Sequence, residues 1–143
     1  MGIDILVLGE RQRDDGSFEQ VDTADALGDR NDIHFAFLAD VCNTDKVVPF
    51  AKPRGLPMDV SEGVFEVIYR QILRGVIVHS ISWLSIAELV AFDYDAVVTY
   101  QGDPPEADSN GMTWREYLDT TYFLELAALE QAGVDRIVFC FDY

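Results

Sequence analysis

The chain has 143 residues, 49% of them hydrophobic, and its 26 acidic and 10 basic side chains give a formal net charge of −16. That is long and apolar enough for a single domain whose core needs no metal or disulfide staple, and it is far from the composition of a disordered chain. The charge argues against nucleic acid and anionic membranes as partners, because phosphate neutralisation needs Lys and Arg; it suits a basic partner or mimicry of a polyanion.

No apolar run is long enough to cross a bilayer, and MGIDILVLGE lacks the basic start and small-residue cleavage site of a secretory signal. The expectation is a soluble, cytoplasmic protein. Cys42 and Cys140 lie in the apolar runs LADVCN and VFCFDY and read as small core residues, not as a disulfide framework or zinc site. Neither a metal nor a cofactor is expected.

Taken in order, Ile3 to Leu8 is an apolar run leading to the turn pair Asp15-Gly16, and SFEQV alternates on the way back, which predicts a β-hairpin. TADALGDRND is a polar loop. Ile33, Phe37, Leu38 and Val41 fall at helical spacing behind a cap at Asn31 or Asp32. CNTDKVVPFAKPRGLPMDV, with three prolines and a glycine, reads as a long irregular loop. SEGVFEVIYRQIL follows a Ser cap, carries Val64, Val67, Ile68 and Ile72 on one face, and stops at Gly75.

VIVHS is either a short buried strand or an apolar loop entering the next helix. That helix, IAELVAF, is announced by Ser85 with Glu88 three residues on, a capping box. DAVVTY reads as a strand, QGDPPEADSNGM as a surface loop, and TWREYLDTTYFLELAALEQAG as a long helix with a Thr cap and a Gly stop. RIVFCF closes the chain as a strand. Terminal strands apolar on both faces belong in the middle of a sheet. The expectation is one α+β domain over residues 1–143: a small antiparallel or mixed sheet, terminal strands central, with three to four helices.

Charge is unevenly spread. Residues 10–32 hold eight acids and 103–130 hold seven, whereas residues 46–58 carry Lys46, Lys52 and Arg54 with no acid. From Val67 to Ala87 there is again no acid, only Arg70, Arg74 and His79. Either Pro-rich and apolar segments simply lack acids, or two basic islands converge on a small anion. In KPRGLP, Pro53 and Pro57 stiffen the backbone around Arg54, which suits bidentate recognition of a carboxylate or phosphate. The other reading is a rigid turn whose Arg pairs with one of the chain's own acids. In HSISWLS, strand alternation puts His79 and Ile81 on one side and Ser80 and Ser82 on the other. Ser82 and Ser85 then lead to a helix N-terminus, which is either an anion site or ordinary capping.

MGIDI, DRND…FAFLADV, KPRGLPMDVS, HSISWLS and IVFCFD occur, in this order, where an uncharacterised family of small phage and actinobacterial proteins has its motifs. The chain resembles that family, whose members start MG-x-D-I-H and carry DRNY, PRGLP-x-D-V-S and H-S-H-S-W-L-T. Here Leu6 and Ile81 replace two family histidines, leaving Asp4, Arg30, Asn31, Arg54, His79, Ser80, Ser82 and Trp83 on matching positions. The resemblance implies phage association rather than an activity.

The expected function is therefore that of a phage-type anti-defence accessory protein. It would sequester a small anionic, nucleotide-derived ligand without turnover, in the host cytoplasm. Arg30 and Arg54 would hold charge, His79, Ser80 and Ser82 would add hydrogen bonds, Trp83 would stack a base and Lys52 would sit at the rim. The alternative is an acidic protein–protein inhibitor, or nucleic-acid mimic, acting on a host protein. A small hydrolase using Ser82, His79 and Asp4 is third; it lacks a G-x-S-x-G elbow, and two histidines are few for a catalytic metal. Pockets built between copies would make the protein a homodimer or larger.

Overall fold

A computed structural model describes residues 2–143; Met1, which opens the MGIDI segment, lies outside them. The first hairpin pairs β1 (Asp4–Gln12) with β2 (Phe18–Val21). Its turn closes where the Arg13 N–H donates to the Ser17 carbonyl, with Gly16 supplying the positive φ of 88° that other residues avoid. The chain then forms α1 (Asp32–Ala39), α2 (Glu62–Leu73), β3 (Val78–Ser85), α3 (Ile86–Ala91), β4 (Thr99–Tyr100), β5 (Glu106–Ala107), α4 (Trp114–Gln131) and β6 (Arg136–Asp142). This is a single α+β fold. The main sheet has the order β2-β1-β6-β3 with every pair antiparallel, so the two terminal strands are central; β4 and β5 form a separate small ribbon.

Alternation across β1 and β6 divides the interior into two cores. Ile5, Ile137, Phe139 and Phe141 join Leu84 in the larger core with residues of α1, α3 and α4. Helix α1 is capped by Asn31, whose side chain accepts from the His34 N–H, and its residues from His34 to Ala39 are all buried. Phe37 sits among the rings of Phe50, Phe92, Tyr94, Trp114 and Tyr122. On the other face Leu8 and Val138 meet Val64 and Ile68 of α2, with Leu6, Leu56, Val60 and Trp83 around them.

Four local expectations need correction. DAVVTY forms only the two-residue β4, because its partner β5 is equally short and the other pairings of the segment are single bridges, Val97 to Thr113 and Tyr100 to Val47. The segment from VIVHS continues through HSISWLS as one eight-residue strand, since β6 offers it a full edge. Ile72 does not share the buried face of α2; it is half exposed. Helix α4 is kinked at Asp119, whose φ of 68° and ψ of 173° lie in a region normally left to glycine. There the Asp119 carboxylate accepts from the Tyr122 N–H and restarts the helix. Among the described residues no helix is long and apolar enough to cross a membrane.

Two central strands that are apolar on both faces leave their mutual register weakly specified by hydrophobicity. Glu10 and Arg136 supply it. They lie directly opposite each other and form a buried ion pair at 2.5 Å, with side-chain exposures of 0% and 6%. The other Glu10 oxygen accepts from the Ser61 N–H at 2.6 Å, tying the start of α2 to the sheet. Arg136 also reaches Asp59 at 2.8 Å and lies 3.5 Å above the Phe18 ring. Removing one partner strands a buried charge. Arg136→Met is expected to cost about 3–5 kcal/mol in urea denaturation, and adding Glu10→Leu to recover part of that loss.

Candidate functional site

The sequence candidates fall into two groups. The first lies along the outer edge of β3. Phe50 anchors the Pro-rich loop through its N–H to the Phe37 carbonyl. The loop then crosses the strand edge, where the Arg54 N–H donates to Ser82 Oγ at 3.0 Å and the Gly55 N–H to the Ile81 carbonyl at 2.8 Å. Gly55 takes a φ of 82° to make that crossing. KPRGLP thus caps an edge strand that would otherwise present free backbone groups.

The Arg54 guanidinium forms a fork-to-fork pair with Glu88, at 2.9 and 2.7 Å, and also donates to the Trp83 carbonyl. Its carbon lies 4.9 Å from the centre of the Trp83 ring. Glu88 in turn completes the capping box of α3, accepting from the Ser85 N–H while its own N–H donates to Ser85 Oγ. The Arg54 hydrogen bonds hold the Glu88 carboxyl below the usual glutamate range, and Glu88 raises Arg54. The acid-free window therefore ends on a carboxylate that already occupies both the guanidinium and the first turn of α3. Lys52, nearby in sequence, is exposed and has no ion-pair partner among the described residues.

Simple alternation fails within HSISWLS. His79 faces Phe141 and Ser82 faces Phe139, so β3 sets one extra residue against β6. This bulge is centred on Ser80, whose φ is 53°. His79 and Ser82 consequently share the face of the larger core instead of opposing each other. Ser82 is fully buried, and its hydroxyl is engaged by the loop backbone. His79 Nδ1 meets Ser80 Oγ at 3.0 Å, its ring lies between Phe141 and Tyr143, and Nε2 is buried with no partner among the described residues. Ser82, His79 and Asp4 do not form a hydrogen-bonded triad.

The second group lies at the end of the sheet where β1 begins. Arg30 pairs with Asp4 at 2.6 Å, both more than half exposed, and lies so close over Gly2 that a side chain there would collide with it. The Arg30 hydrogen bond lowers the Asp4 carboxyl. Asn31 is spent on capping α1. Among the described residues Arg30 and Arg54 have no hydrogen-bond or ion-pair partner in common.

Sequence reasoning missed the best-connected polar group, Glu10 with Arg136, Asp59 and Ser61. Its signal was a charge abutting each terminal apolar run, IDILVLGE and RIVFCF. Two clefts, of about 450 and 420 Å³, contain none of Arg30, Lys52, Arg54 or His79; acids line both, Glu130 and Asp135 in one and Glu19, Glu62 and Glu66 in the other. Among the described residues no three His, Cys, Asp or Glu side chains converge to hold a metal ion. Comparison with protein-family models, curated proteins and solved structures finds no match to this chain.

The Arg54 fork predicts a pH effect. A carboxyl with a depressed folded-state pKa contributes stability that is present above its unfolded value and lost as pH falls through the folded one. Arg54→Ala is expected to cost about 1–2 kcal/mol at neutral pH, from the pair and the stacked ring together. The gap between parent and variant should narrow, to the part owed to the Trp83 ring, as the solution is acidified below the ordinary glutamate range, as followed by urea denaturation across that range. A constant gap would mean that Arg54 acts only by packing on Trp83.

Proposed function

We propose that this protein works by binding, as an acidic decoy that docks on a basic surface of another protein in the place of a polyanion. One observation carries the reading. Of the eight arginines, seven are ion-paired to the chain's own carboxylates, leaving Arg74, Lys46 and Lys52 unpaired among the described residues against a net charge of −16. The cations fasten the fold and the unpaired acids face outward. Such a field attracts a basic partner at long range and is screened by salt. The resemblance to a phage-associated family fits a host protein in that role.

Sequestration of a small nucleotide-derived anion is the second reading, favoured by the unpartnered His79 Nε2 beside the strained Ser80. It requires Arg54 to exchange Glu88 for the ligand. The two readings part in one experiment, in which the tagged protein is captured from host lysate at low salt. The decoy reading expects a basic protein that is released by duplex DNA and by rising salt, because all three compete for the same charges. Native mass spectrometry of the same material showing a retained small anion and no protein partner would overturn the decoy reading and establish the second.

A further inference from the structure

Helix α2 buries Val64 and Ile68 against the sheet and turns another apolar stripe outward. Phe65, Tyr69, Ile72 and Leu73 are each about half exposed or more, as is Ile77 just beyond the helix. Phe65 and Tyr69 stack on each other, one turn apart, at 5.8 Å. These side chains offer on the order of 500 Å² of apolar surface, against about 800 Å² per partner in a standard interface. A strip this large on a chain this charged points to an occupant.

The charges beside the stripe say which one. Glu62, Glu66, Arg70 and Arg74 follow one another at four-residue spacing and are all exposed, so they form a single row along the stripe's flank. The row is acidic in its first half and basic in its second. A uniformly basic partner would meet Arg70 and Arg74, and a uniformly acidic one would meet Glu62 and Glu66. The same row run in the opposite direction is complementary along its whole length. In antiparallel helix pairs equivalent flanks face each other, so such a row meets itself. From Tyr69 onward this face also lies in the acid-free segment, which lowers the repulsion there between two copies of a −16 chain.

We propose that the protein is a homodimer in which α2 packs antiparallel on α2 of a second copy, about a two-fold axis beside Tyr69. Glu62 then faces Arg74 of the second copy, Glu66, which its own chain's Arg70 already meets at 3.6 Å, faces the second copy's Arg70 as well, and Phe65 packs beside the second copy's Ile72 and Leu73. Every contact occurs twice, as a closed two-fold interface requires.

Sedimentation equilibrium at tens of micromolar tests this on the full chain. The parent should show twice the 16.1 kDa chain mass. Tyr69→Glu should be monomeric with an unchanged circular dichroism spectrum, because Tyr69 is half exposed in one copy. An all-acidic row (Arg70→Glu with Arg74→Glu) and an all-basic row (Glu62→Arg with Glu66→Arg) should each weaken self-association at least tenfold. Mixed together, those two variants should form a one-to-one heterodimer. A monomeric parent, a Tyr69→Glu dimer, or two charge variants that ignore each other would each overturn the proposal, assigning the stripe to a different occupant or the dimer to a different face.

Discussion

Glu10 and Arg136 are the constraint around which the sheet is arranged. They sit opposite each other on the two central strands, where apolar residues on both faces would let β1 and β6 slide. A slip by one residue would carry a charge into the aromatic core and leave its partner behind, so the register is enforced by the cost of the wrong pairing. The pair also reaches outside the strands. Ser61 brings the start of α2 onto the second face, Asp59 brings the end of the Pro-rich loop, and Phe18 brings β2 over the guanidinium.

The rest of the polar architecture follows from closing the free edge of β3. The loop around Arg54 lends backbone N–H groups to Ile81 and to the Ser82 hydroxyl, and its guanidinium reaches on to Glu88 at the start of α3. The bulge at Ser80 turns Ser82 inward to meet that loop and leaves His79 against Phe141. Residues that look in sequence like a small recognition motif thus form a brace between strand, loop and helix. Motif-like spacing arises from edge protection as readily as from ligand chemistry.

The proposed function would belong to surfaces more than to a cavity. Internal ion pairs consume nearly all the arginines, so the exterior is left acidic by subtraction. The face of α2 differs, because its acids and bases are segregated along one row beside an apolar stripe. In the proposed readings one surface would take a basic partner and the other a second copy. A dimer would present the acidic surface twice, raising its effective avidity for an extended basic target.

The sequence by itself determined the α+β class, the central placement of the terminal strands, the hairpin turn and the caps at Ser61, Ser85 and Thr113, and it narrowed the α1 cap to Asn31 or Asp32. Each of these rests on interactions within a few residues or on the two-faced hydrophobicity of a strand. It did not show that Arg54 pairs with an internal acid, and only the fold brought the two together, because Glu88 is distant in sequence and arrives through β3 and α3. The Ser80 bulge was hidden because a period-two pattern carries no mark of an inserted residue. The Glu10–Arg136 pair joins opposite ends of the chain, and a charge at the end of an apolar run looks the same whether it meets water or a counter-charge. Local chemistry was legible wherever its partners were local; the pairing of distant charges was fixed only when the sheet brought them together.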